Sequence, residues 1–207
     1  PTVDSSDHTQ MVTVYGLALH QGFGYSGGTF HDVSGSHIPV AITFEIVGGK
    51  YVLKEYWTPR DGSYYVRDVR DKFPDEVEDE ALDTQKYILA QKQTCYDQGV
   101  RYGGVDTYSA VEHLFEVIES SPATSSRPAD YIDAHSVEYR ELMYYGDYTL
   151  QYIFSKFHLE GNQTGLRGQL MRIALDDLAP EAQLRLHAET GQAYFDEWKA
   201  GALQISE

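Results

Sequence analysis

Ser26 is the first residue that could do chemistry. It sits in Gly24-Tyr-Ser-Gly-Gly28, a literal G-x-S-x-G, the pattern that in hydrolases makes a strained strand-to-helix turn and exposes a serine hydroxyl. His31 or His37 could serve as base and Asp32 as the orienting carboxylate, since acyl transfer needs such a trio in mutual contact. The surroundings oppose this chemistry. Thr29-Phe-His-Asp-Val-Ser-Gly35 does not open a helix able to pack on a sheet, and no alternation of strands and helices follows. The five glycines 22, 24, 27, 28 and 35 would also hold a catalytic trio poorly. Gly22-Phe-Gly24 lacks the following Lys-Ser/Thr of a phosphate loop.

Other reactive patterns fail on spacing. His20, His31 and His37 are eleven and six residues apart, which matches no standard zinc spacing, and H-E-x-x-H is absent, so these residues read as hydrogen-bonded structural histidines. No serine has a lysine three positions later, which excludes a penicillin-recognising acyl-enzyme. Cys95 is the sole cysteine, so neither an internal disulfide nor a multi-cysteine zinc site can form. Asp75 to Asp83 carries six carboxylates in nine residues without the spaced ligands and central glycine of a calcium loop. It reads instead as the solvated start of a helix, where the dipole favours acids. No cofactor or metal is expected.

The best candidate for recognition is Glu55-Tyr-Trp-Thr-Pro-Arg-Asp-Gly-Ser-Tyr-Tyr65. A strand delivers Trp57, Pro59 and Asp61-Gly62 make a turn that holds Arg60, and Tyr64 and Tyr65 follow. Trp57, Arg60, Tyr64 and Tyr65 are therefore the candidate ligand-binding residues. They could equally be a structural corner, with a guanidinium resting on a ring. This stretch, continued by Val-Arg-Asp-Val-Arg-Asp-Lys-Phe-Pro74, resembles a segment of the extracytoplasmic domains that accompany BlaR/MecR-type antirepressor membrane metallopeptidases of Firmicutes. Gly35-Ser-His-Ile-Pro-Val-Ala-Ile-Thr-Phe-Glu45, Ala81-Leu-Asp-Thr-Gln85 and Glu138-Tyr-Arg-Glu-Leu-Met-Tyr-Tyr-Gly-Asp-Tyr148 extend the resemblance across most of residues 12–175. It implies an extracytoplasmic domain that is secreted, lipid-anchored or the outer part of a membrane protein, with no catalytic residues of its own. The implied partner is a membrane metallopeptidase or a cell-envelope ligand.

Composition agrees with a recognition role. The 207 residues carry 32 Asp and Glu against 16 Lys and Arg, a net charge of −16 that repels phosphate backbones, so nucleic acid is not an expected partner. The excess is one-sided: residues 1–74 hold 6 basic and 8 acidic residues, residues 75–207 hold 10 and 24. Seventeen tyrosines supply rings with polar tips suited to binding surfaces. No apolar run is long enough to span a membrane. Pro1 reads as the start of a trimmed or mature fragment.

The elements that must position these residues follow from periodicity. Strands are expected over 11–20, 38–47 and 51–57, with Gly48-Gly49 closing a tight hairpin and the glycines between 22 and 35 forming a loop or irregular hairpin. A short helix over 63–73 ends at Pro74. Helices are expected over 80–102, over 107–119 with Asp106 as cap, over 136–159 with a break at Gly146-Asp147, over 165–178 and over 180–204. Residues 1–10 read as a disordered or linker start. Residues 11–207 read as a single α+β domain, a β-rich segment (11–74) packed on a bundle of about five helices (75–207). Its expected role is that of a non-enzymatic sensor or interaction domain. Two other readings stay open, a serine hydrolase using Ser26 and a structural cell-surface domain.

Overall fold

The computed structural model describes residues 10–26, 29–122, 125–180 and 188–205, with only the backbone described for Ser26, Thr29 and 201–205. The expected disordered or linker start lies outside the described residues except at Gln10, which opens the first strand. Strands β1 (Gln10–Ser26), β2 (Thr29–Val47) and β3 (Lys50–Trp57) form an antiparallel sheet in the order β1-β2-β3, and helices follow, so the chain is α+β. Gly48 and Gly49 both take left-handed φ, 56° and 77°, as a two-residue hairpin turn demands. The β2–β3 register runs from Val47↔Lys50 to Ala41↔Trp57, and a bulge between Thr43 and Phe44 leaves Lys54 as the extra residue.

The glycine-rich stretch is strand on both sides of residues 27 and 28, so of the two expected forms, loop or irregular hairpin, the described residues take the hairpin. Its glycines serve close packing: a Cβ on Gly22 would lie 2.5 Å from Ser34 Oγ, and one on Gly35 3.1 Å from Gln21 Oε1. Gln21 Nε2 donates across the pair to Ser34 O at 2.6 Å.

The chain divides into two compact units, and neither is one continuous segment. The first unit comprises residues 1–22 and 33–91. In it a 3-10 turn (Gly62–Tyr64) leads into α1 (Tyr65–Lys72), followed by the one-turn α2 (Glu78–Leu82). Its small core is Val69, Phe73 and Ala81, with Trp57, Tyr65 and Leu82 packed against them and the Tyr15 ring 5.1 Å from that of Phe73. The helix expected to run unbroken over 80–102 is interrupted at 83–87, because Asp83 leaves helical geometry (ψ 71°). α3 (Ile88–Gly103) begins after the break.

The second unit comprises residues 23–32 and 92–207. α4 (Thr107–Glu119) is its central helix, capped by Asp106, which accepts from the Ser109 N–H at 3.2 Å and from the Ser109 hydroxyl at 2.7 Å. α4 buries Ala110, Val111, Leu114, Phe115 and Ile118. Around it lie α5 (Pro128–Ala134), α6 (Ser136–Tyr145), α7 (Asp147–Ser155), a π-helical turn (Lys156–Glu160), α8 (Leu166–Leu178) and α9 (Gly191–Ile205). Gly146, at φ 50°, makes the expected break between α6 and α7. The start of α9 meets α8 backbone to backbone, since a Cβ on Gly191 would sit 2.0 Å from Gly168 O. From residues 23–32 come Phe23 and Phe30, whose rings are 4.6 Å apart and pack on Tyr96 at 5.1 and 5.0 Å. Gly99 of α3 admits them, as a Cβ there would lie 3.3 Å from each ring.

Among the described residues of 75–207 eight α-helices are present where about five were expected, and α1 occupies the place of the short helix expected over 63–73. The surplus comes from the break at 83–87, from the division of α6 and α7 at Gly146, and from α5, which the proline-containing stretch after 120 had concealed. The helix expected over 180–204 is seen from Gly191, and residues 181–187 lie outside the described residues.

Candidate functional site

Trp57, Arg60, Tyr64 and Tyr65 are brought together in the first unit, where β3 ends and α1 begins. Arg60 does not face outward as a lone cation. Its Nε donates to Asp68 Oδ2 at 2.7 Å, its Nη2 to Oδ1 at 2.6 Å, and its backbone N–H also reaches Oδ2 at 3.1 Å. These bonds hold the Asp68 carboxyl down to about 2. The Arg60 guanidinium lies 4.4 Å from the Tyr64 ring centre and that of Arg67 lies 5.1 Å away, so the half-exposed Tyr64 contacts two cations. Tyr65 and Trp57 are half-buried against the small core, and burial raises the Tyr65 phenol. Lys72 stands 5.8 Å from the Trp57 ring and pairs with Glu55 at 3.0 Å. A shallow cleft of about 320 Å³ runs past Trp57, Thr58, Arg60, Asp68, Asp71 and Lys72. With both its cations paired, it offers an anion little. Asp68, unnoticed in the sequence, is the residue that engages Arg60; its only sequence signal is an acid in the first turn of a helix eight residues on.

Of the other sequence candidates, the histidines and acids form no ligand set among the described residues. The Ser26 side chain lies outside the described residues. His20 and His37 fall in the first unit and His31 in the second, and no group of three metal-ligating side chains exists among the described residues. The acidic run forms a turn and α2, with Glu78, Asp79 and Glu80 in the first turn. Arg70 reaches Glu78 and Asp79, each at 3.3 Å.

A larger cleft, of about 610 Å³, opens in the first unit. It is lined by Tyr15, Gly16 and Leu17 of β1, by Phe73, Pro74, Glu76 and Val77 after α1, by Glu80 and Ala81 of α2, and by Tyr87 and Gln91 at the start of α3. The helix stop at Phe73-Pro74 and the break at 83–87 create it, because both turn the chain around the concavity. Its lining is mainly apolar, and Tyr15, Val77 and Tyr87 remain partly open to solvent. Lys86 and Tyr87 both donate to Glu80 Oε1 and hold that carboxylate ionised. Gln91 Nε2 donates to Leu17 O at 2.8 Å. No motif marks these residues, whose sequence positions run from 15 to 91.

The second unit holds a smaller cavity of about 190 Å³ beside Phe30, His31, His113, Glu138, Glu141 and Tyr145. Burial raises the Glu141 carboxyl, while Tyr96 donates to it at 3.4 Å. Nearby, Ser121 Oγ and His135 Nε2 are 2.8 Å apart, and His135 Nδ1 is 3.8 Å from Glu138 Oε2. Separated by 14 residues and following no motif, this serine–histidine pair escaped the sequence reading.

Comparison of the chain with known protein families, with curated proteins and with solved structures finds no match.

Proposed function

We propose that this chain is a non-catalytic recognition domain that binds an apolar ligand in the cleft of its first unit. The cleft itself carries this reading. Its volume of about 610 Å³ lies within the usual range of ligand pockets, and its walls combine aromatic rings with few polar groups. Tyrosine and phenylalanine rings give contact area at low entropic cost. The proposed place of action, outside the membrane beside a membrane metallopeptidase, rests on the resemblance of residues 55–74 and its extensions alone. Among the described residues no helix is long and apolar enough to cross a membrane. Titrating the chain with the uncharged apolar dye Nile red tests the cleft. The fluorescence gain should be lost in Val77→Trp, which adds bulk at a partly exposed residue of the cleft wall. Equal binding by this variant and the parent would overturn the reading.

A second reading, a serine hydrolase, gains support from the Ser121–His135 contact rather than from Ser26. His135 Nδ1 is too far from Glu138 for a hydrogen bond, and Ser121 follows the carbonyl end of α4, where a helix dipole disfavours an oxyanion. Incubation with a fluorescent fluorophosphonate should leave the chain unlabelled. Labelling that disappears in Ser121→Ala would promote the hydrolase.

A further inference from the structure

Resting on the reading of the cleft as a ligand site, we infer that it selects a ligand with an apolar body and a protonated amine. The polar side chains lining it are the carboxylates of Glu76 and Glu80, the amide of Gln91 and the phenols of Tyr15 and Tyr87. None of the described lining residues is lysine, arginine or histidine.

Gln91 is the most telling of these groups. Its partner Leu17 O can only accept, so the amide NH2 must face it and Oε1 is turned the other way. That oxygen is buried and has no hydrogen-bond partner. A buried carbonyl oxygen is normally satisfied, and because Gln91 lines the cleft, a ligand N–H that meets it after a turn of the side chain would do so. A positive charge adds attraction. Glu76 is exposed at the opening, and the rings of Tyr15 and Tyr87 can face a cation. The net charge of −16 raises the local concentration of cations and lowers that of anions. A carboxylate or phosphate ligand would meet two carboxylates and, among the described lining residues, no cationic side chain.

Three probes of one shape separate the terms: tryptamine, the neutral tryptophol and the anionic indole-3-propionate, titrated into the full chain and followed by calorimetry. Tryptamine should bind about tenfold tighter than tryptophol, the scale of one hydrogen bond to a charged group, and indole-3-propionate should bind weakest. Glu76→Gln, at an exposed site that leaves the fold alone, and Gln91→Leu should each narrow the gap between tryptamine and tryptophol. Equal binding of the three probes, or a preference unchanged in both variants, overturns amine selection. So does failure of all three to bind while Nile red still enters the parent and is blocked by Val77→Trp. In each of these cases the cleft survives as a ligand site. Loss of Nile red binding as well removes the cleft reading itself.

Discussion

Arg60 and Asp68 meet in a two-point ion pair, Nε to Oδ2 at 2.7 Å and Nη2 to Oδ1 at 2.6 Å, which ties the turn after β3 to the first helical turn of α1. The planar guanidinium fork matches the two carboxylate oxygens, a geometry lysine cannot copy. Because the Asp68 carboxyl is held at about 2, below its value in an unfolded chain, its contribution to stability is present above about pH 4 and is lost as pH falls towards 2. Asp68→Asn should therefore be less stable at neutral pH and should show a shallower loss on acidification. Urea unfolding at stepped pH checks this, and an acid limb as steep as the parent's would refute it.

Glu141 carries the opposite sign. Burial raises its carboxyl above the ordinary value, the nearby Asp32 and Glu138 push the same way, and His31 and Tyr96 oppose them. The native state thus keeps its proton to higher pH than the unfolded chain does, and stability falls as pH rises through the raised value. Glu141→Gln should melt higher than the parent near neutral pH, with the advantage vanishing below the unfolded carboxyl value of about 4.3. A variant that is destabilised at every pH would show that the charge is needed in place.

Arg167 joins α4 to α8, bonding Glu112 at 2.9 Å, Glu119 at 2.6 Å and the Tyr152 hydroxyl at 2.8 Å. Removing the cation takes from the partly buried Glu119 its ion pair and leaves Glu112 to Lys156 and the Tyr152 hydroxyl. Arg167→Met should cost roughly 2–4 kcal/mol, at or below the range for breaking a buried pair because the guanidinium keeps some solvent contact. Chemical denaturation measures it, and a change under about 0.5 kcal/mol, the scale of an ordinary surface substitution, would contradict the network's role.

Backbone contact at Gly168 and Gly191 leaves no room for a methyl group, with the added Cβ only 2.0 Å from a carbonyl oxygen in either case. Gly191→Ala should destabilise the second unit by about 3 kcal/mol or more, the upper range for overpacking. A melting temperature equal to the parent's would show that α9 can shift away freely.

Trp57 packs against Phe73 at 6.1 Å but is only half-buried. Trp57→Ala should cost about 2–3 kcal/mol, less than the 3–5 kcal/mol of a fully enclosed ring. An unchanged thermal melt would remove Trp57 from the core.

Local signals in the sequence carried much of the fold. Gly48-Gly49 closes its hairpin, Asp106 caps α4 and Gly146 divides α6 from α7, because each acts through its own backbone or its nearest neighbours. Distant causes were not legible. Gly22 and Gly35 serve close strand contact with Ser34 and Gln21, yet glycine in a turn and glycine beneath a neighbouring side chain look the same in one sequence. The large cleft was invisible for a related reason. Tyr15, Phe73, Tyr87 and Gln91 share no spacing, and they converge only because two helix stops turn the chain. Arg60 reads as a candidate ligand-binding residue from its turn, but a residue type cannot disclose that an aspartate eight positions later already engages it.

The interleaving of the two units has a consequence for the order in which the chain can acquire structure. Phe23 and Phe30 complete the packing around Tyr96 in the helical unit, while the segments flanking residues 23–32 belong to the other unit. During synthesis these two rings leave the ribosome well before α4, and both must wait unpartnered until the helices are made. Contacts of such sequence separation slow folding and leave sticky surface exposed in the interval. No single cut can release the helical unit whole: a fragment starting at Lys92 lacks both rings and bares Gly99 and Tyr96. Adding a synthetic peptide spanning residues 20–35 to that fragment in trans would restore the missing layer.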